Sequence, residues 1–113
     1  METAEYAVTF ADVQQAVERT AGLLRRTPVL PVCGIPGCAD VQLSLKCENL
    51  QFGSAFKARG ATNAVMSLSE QQASCGVVTH SSGNHAAALA RAALQRGIAA
   101  HIVMPRNSAG VKL

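Results

Sequence analysis

The chain has 113 residues, 49% hydrophobic and 15% charged, with a formal net charge of +3. That length allows at most one small domain. The charge excess is too small, and its basic residues apart from Arg25-Arg26 too scattered, for a nucleic-acid surface, and no aromatic ladder accompanies them. No apolar run approaches the roughly 20 residues of a membrane span. Cys33, Cys38, Cys47 and Cys75 lack zinc-type or CxxC spacing, and Met1 to Ala11 holds two glutamates and no apolar segment of the signal-peptide kind. Reduced thiols and a cytoplasmic location are the expectation.

Thr9 reads as an N-cap, with Asp12 suited to the positive start of a helix. Val13, Ala16, Val17, Ala21, Leu23 and Leu24 recur at helical spacing, which predicts a helix with one buried face, ended by Thr27-Pro28. Three prolines and two glycines between Pro28 and Ala39 predict a loop. Val41 to Cys47 alternates with period two, the pattern of a half-buried strand. A glycine-containing loop leads to a helix over Phe56 to Leu68. Gly76 to His80 is short and β-branched, expected as a buried strand. Ser81 to Asn84 is a tight polar turn. His85 to Arg96 is an alanine-dense helix with Gly97 at its C′ position. Ile98 to Met104 is a further strand, and Asn107 to Leu113 reads as a helix start. Strand, turn, helix and strand make a βαβ unit, so the two strands should run parallel. The fold class is α/β.

Two segments concentrate polar residues beside glycine. In the first, Glu48 to Ala61, Lys57 stands at the mouth of a helix behind an aromatic residue and among small neighbours. Partial desolvation there would favour a neutral amine, the form that condenses with an aldehyde cofactor. On spacing alone, a surface helix lysine is the plainer reading. The second, Thr79 to His85, lies at the carboxyl end of a strand, where free N–H groups suit an anion. By itself it also reads as an ordinary capped turn. Neither segment matches GxGxxG or the GxxxxGK[ST] phosphate loop.

Together, Glu48-Asn49-Leu50-Gln51, Phe56-Lys57-x-Arg59-Gly60-Ala61 and His80-Ser81-Ser82-Gly83-Asn84-His85-Ala86 resemble the fold-type II pyridoxal-phosphate enzymes. Among them, the pattern is similar to the threonine/serine dehydratases and serine racemases. The likeness runs from Arg25-Arg26-Thr27-Pro28 to Val103-Met104-Pro105. It implies a partial tryptophan synthase beta-like fold, with a parallel βαβ unit preceded by an N-terminal helix and residues 1–113 as the N-terminal portion of a dehydratase/racemase domain. It also implies pyridoxal 5'-phosphate as cofactor, an amino-acid substrate such as L-serine or L-threonine, and homo-oligomeric full-length relatives.

Residue by residue, the resemblance gives Lys57 the cofactor and, later, the role of base at the substrate α-carbon. Phe56 would pack on the cofactor ring, and Asn84 would donate to its phenolic oxygen. Ser81, Gly83 and His85 would lie near the substrate carboxylate. Ser82 matches the serine that racemases place opposite the lysine. The family commonly has Thr-Gly-Ser where this chain has Gly53, Ser54 and Ala55. Nucleotide activation is not expected, because polar residues are missing around Val32, Cys33, Phe52 and Gly53. The family's phosphate loop, pyridine-nitrogen partner and metal ligands would lie further along, so the chain is expected to be an N-terminal piece. Two readings of residues 1–113 follow, part of a working enzyme or a catalytically inactive remnant.

Overall fold

The computed structural model describes residues 7–37, 41–108 and 110. Helix α1 spans Phe10–Arg19 and opens on a reciprocal capping box. The Asp12 N–H donates to Thr9 Oγ1 (3.4 Å), and the Thr9 N–H donates to Asp12 Oδ2 (2.8 Å). The helix stops earlier than its apolar spacing predicts. Thr20 donates its hydroxyl to the Ala16 carbonyl, and Gly22 takes φ 74°, a turn conformation that a helix cannot continue through. The expected buried face is also missing: Val13 and Val17 are exposed.

Val29–Val32 is strand β1, inside the stretch that its prolines marked as loop. It pairs antiparallel with β2, Leu43–Lys46, in the register Val29↔Lys46 to Val32↔Leu43. The Cys47 N–H donates to the Pro28 carbonyl at 2.9 Å, which makes that pair a hydrogen-bonded one. Alternation then leaves Pro31 at a non-hydrogen-bonded position, where its missing N–H costs the ladder nothing. Cys38 lies outside the described residues.

Two short 3-10 turns, Glu48–Leu50 and Phe52–Ser54, lead into helix α2, Lys57–Ser67. Ser69 and Gln72 form a second capping box that starts α3, Glu70–Ser74, a short helix absent from the sequence reading. Strand β3 (Val77–His80), helix α4 (Asn84–Arg96) and strand β4 (Ala100–Val103) complete the expected βαβ unit. β3 and β4 are parallel, in register Val77↔Ala100 to His80↔Val103. Gly97 closes α4 at φ 73° as its C′ position requires. At Gly76, also left-handed, a Cβ would meet the Ala99 oxygen at 2.7 Å, so no side chain fits there.

The core is small and alanine-rich because α2 and α4 approach closely. Ala61 and Val65 of α2 pack with Ala88, Leu89 and Ala92 of α4, and Val77, Ile98 and Ile102 close the cluster from the sheet side. Arg96, in the last turn of α4, donates to the carbonyls of Val65 and Leu68 at the end of α2. A cation on otherwise unpaired C-terminal carbonyls is favourable. β3 is not the fully buried strand its composition predicts. Val77 and Thr79 face the helices, whereas Val78 and His80 are exposed, as are His101 and Val103 on β4. Among the described residues, only one face of this sheet is covered. The helix start read at Asn107 to Leu113 lies mostly outside the described residues. Asn107 falls in a turn, and the Ser108 N–H and hydroxyl both donate to the Pro105 carbonyl. No helix among the described residues is long and apolar enough to cross a membrane.

Candidate active site

The segment ahead of α2 is held by a polar cluster whose members are far apart in sequence. Glu48 receives both Nε (2.8 Å) and Nη2 (2.7 Å) of Arg59, and its Oε1 also accepts from the Thr27 hydroxyl at 2.6 Å. Thr27 is buried. The two-pronged Arg59 contact, helped by Thr27, holds the Glu48 carboxyl down at about 2, against the desolvation that opposes it. The same bond raises the Arg59 guanidinium above its usual value. The guanidinium groups of Arg25 (4.3 Å) and Arg91 (3.6 Å) both lie over the Phe52 ring. Burial, and then the neighbouring Arg25 charge, lower the Arg91 guanidinium.

This cluster has a pH signature. A carboxyl held near 2 in the fold, but near its ordinary 4.5 when unfolded, adds stability that is fully present above about 4.5. That stability drains away as pH falls from there towards 2. Arg59 is more than a third exposed, so solvent screening limits the contribution to about 1–2 kcal/mol. Glu48→Gln is therefore expected to lower stability by that amount at pH 7 and by progressively less below pH 4. Urea melts at the two pH values check it, and equal losses at pH 7 and pH 2.5 would refute the linkage.

Beyond this cluster, Phe56 precedes α2 and Lys57 is its first residue. Both line a groove of about 280 Å³ between α2 and α4, together with Gly60, Ala61, Ala64, His85 and Leu89. The Lys57 Nζ sits 5.4 Å from the centre of the Phe56 ring. Phe56 and Lys57 are both exposed, so the desolvation expected for Lys57 is not supplied by the described residues. The groove is open because its walls are small. A Cβ at Gly60 would meet nothing within 4 Å.

The turn after β3 begins with the Gly83 N–H donating to Ser81 Oγ at 3.2 Å. α4 then starts at Asn84 with no side-chain cap, as α2 starts after Phe56 with none. N–H groups in such first turns are available to an anion. Ser81 and Ser82 line a separate hollow of about 450 Å³ with His80, Val103, Met104 and Pro105. The structure thus brings Phe56, Lys57 and His85 together, and sets Ser81 and Ser82 in a neighbouring hollow. Gly83 and Asn84 fall between the two and line neither.

Fold and groove define an α/β unit that presents an amine and an exposed aromatic face between two helices. Residues 20–113 match the family described as "Pyridoxal-phosphate dependent enzyme", and the chain belongs to that family. It is 48% identical over 108 residues to the serine racemase of Oryza sativa subsp. indica, covering 96% of this chain and 32% of that protein. It is likewise 48% identical over 107 residues to the beta-hydroxyaspartate dehydratase of Paracoccus denitrificans, covering 95% of this chain and 34% of the relative. The crystal structure of serine racemase from Dictyostelium discoideum superposes with TM-score 0.87 at 44% identity, covering 95% of this chain and 35% of that one. The chain spans about a third of the length of these relatives.

The family cofactor is a flat, anionic pyridine aldehyde, and the residues present fit its ring and aldehyde end. Lys57 offers an amine, Phe56 an uncovered aromatic face, and Gly60 open space beside them. Gly60→Ala provides a check. Replacing a glycine inside a helix should stabilise it by about 0.5–1 kcal/mol, since nothing obstructs the new methyl. The same methyl narrows the groove, so labelling of Lys57 by pyridoxal phosphate should fall. A melt and a labelling assay that rise together would show that the cofactor does not use this space.

Proposed function

We propose that residues 1–113 form the lysine-bearing part of an enzyme that deaminates or racemises L-serine or L-threonine with pyridoxal phosphate. The observation that carries this reading is the convergence of Lys57, Phe56 and His85 on one open groove. The similarity to serine racemases and a hydroxyaspartate dehydratase supports it. When bound, the cofactor supplies an electron sink that lets the substrate α-proton leave.

The chain's own residues have the following work. Lys57 secures the cofactor through its amine and then takes the proton from the α-carbon. Phe56 would pack on the ring and help to exclude water from it, and Asn84 would donate to its phenolic oxygen. The Ser81 hydroxyl, the N–H groups around Gly83, and His85 orient the substrate carboxylate at the start of α4. Ser82 holds a proton for the face opposite Lys57. β-Elimination yields ammonia and a 2-oxo acid, and return of a proton on that opposite face yields the D-isomer.

A second reading is that residues 1–113 by themselves turn over no serine. The exposure of Lys57 and the separation of its groove from the Ser81–Ser82 hollow favour this for the isolated stretch. One experiment addresses both readings. A chimera is made in which this chain replaces the matching third of the rice serine racemase, and ammonia, pyruvate and D-serine are measured beside the isolated chain. The expected outcome is cofactor-dependent turnover by the chimera and none by the isolated chain. A folded chimera with no turnover, where the rice parent is active, would favour an inactive remnant.

A further inference from the structure

We infer that Gln51, acting through the left-handed turn at Gly53 and Ser54, is a positioning residue that fixes where the Lys57 amine enters the groove. The inference rests on the reading of Lys57 as the cofactor lysine. Gln51 is only 2% exposed and is the largest of the fully buried side chains among the described residues. Both ends of its amide bond to backbone. Oε1 accepts from the N–H groups of Arg25 (3.0 Å) and Phe52 (3.1 Å), and Nε2 donates to the Arg25 carbonyl at 2.8 Å. Gln51 therefore grips Arg25 much as a neighbouring strand would. Its own main chain holds the turn on both sides. The Gln51 N–H donates to the Glu48 carbonyl (3.1 Å), and its carbonyl accepts from the Ser54 N–H (2.9 Å).

The turn so held is a strained one. Gly53 has φ 67°, and Ser54, with φ 51°, is the one non-glycine residue at positive φ among the described residues. That conformation costs a side-chain-bearing residue about 1–2 kcal/mol. It persists only where the surroundings over-determine it, and such places cluster at functional sites. A connection between β2 and α2 needs neither a buried glutamine nor a strained serine. Three residues after Ser54 the chain reaches Lys57, with Ala55 and Ala58 buried on either side of it. The backbone direction set at Ser54 is thus passed to Lys57 with little room for adjustment. Gln51 does not line the groove, so its effect on Lys57 is exerted through the turn.

The test uses the 113-residue chain, with pyridoxal phosphate as probe and borohydride as trap. The rate of pyridoxyl attachment at Lys57 is measured against Nα-acetyl-lysine present in the same solution. The parent Lys57 is expected to react several-fold faster than this reference amine. Gln51→Leu, which removes all three amide bonds, and Ser54→Val, whose branched side chain rejects the left-handed region, should each slow Lys57 to about the rate of the reference amine. Ser54→Gly keeps the turn without strain and should stay within about twofold of the parent. Gln51→Glu retains both acceptor bonds and should recover part of the rate. Ser54 is exposed, so Ser54→Val removes nothing from the core and decides the matter where Gln51→Leu does not fold. Folded variants that label Lys57 as fast as a parent faster than the reference overturn the positioning role alone. A parent no faster than the reference amine overturns the reading of Lys57, and this inference with it.

Discussion

Lys57→Ala in the rice chimera is expected to cut ammonia release from L-serine by about 10³-fold, within the span that a positioned acid/base group supplies. It is also expected to abolish borohydride-trapped cofactor at the groove. The loss should be large because the proposed function gives this one side chain two tasks, holding the cofactor and moving the α-proton. Among the described residues, Lys57 is also the only amine lining the groove. Lys57→Arg separates chemistry from charge. Arginine keeps a cation beside Phe56 and could hold an anionic ligand, but its guanidinium stays protonated and does not condense with an aldehyde. Activity of Lys57→Arg is therefore expected to match that of Lys57→Ala. An arginine variant within tenfold of the parent would mean that position 57 serves only as a charge, and the cofactor lysine would have to be sought elsewhere.

Legibility of the fold in the sequence followed the range of the interactions involved. The Thr9 N-cap, the Gly97 stop and the β3–α4–β4 unit are specified within a few residues, and each formed as expected. β1 was hidden because its prolines outweigh its valines in any local count. Only the register, which sets Pro31 at a non-hydrogen-bonded position, makes it a strand. α3 is five residues long, below what periodicity can detect, although Ser69-x-x-Gln72 is a readable cap signal. The end of α1 was misplaced because its apolar spacing continues through Gly22 while the backbone does not.

The candidate site was legible in part. Phe56, Lys57 and His85 share a groove, and the turn residues lie beside it. What spacing could not disclose is why Glu48-Asn49-Leu50-Gln51 accompanies that lysine. Glu48 meets Arg59 and Thr27, and Gln51 meets Arg25, across separations of 11 to 26 residues. No local pattern announces such pairs. The one available signal was a polar residue held between Leu50 and Phe52, a position where burial demands partners. The departure at Ser54 also gains meaning only from the backbone. Where the family commonly has glycine, this chain accepts a left-handed serine. The exposure of Val78 and Val103 was not legible either, since β-branched composition says that a strand is suited to burial without saying what buries it.

Ser82→Ala in the same chimera is expected to change what is made rather than whether anything is made. Elimination asks for a base at the α-carbon and a protonated leaving group, both of which can be served from the Lys57 face. Racemisation must also return a proton from the opposite face, so it needs a second donor. Ser82 is placed for such a role only if the substrate lies across the Ser81–Asn84 turn. There the Lys57 groove reaches His85 on one side and the Ser81–Ser82 hollow opens on the other. Removing a general acid typically costs about 10²–10⁴-fold in the step it serves. The ratio of D-serine to pyruvate should therefore fall by a factor in that range, while ammonia release stays within a few-fold of the parent. The two products are quantified from L-serine in parent and variant under identical cofactor loading. Should both decline together, Ser82 matters to substrate binding instead. Should the ratio hold steady, its hydroxyl only shapes the turn, and the proton for the second face comes from another group.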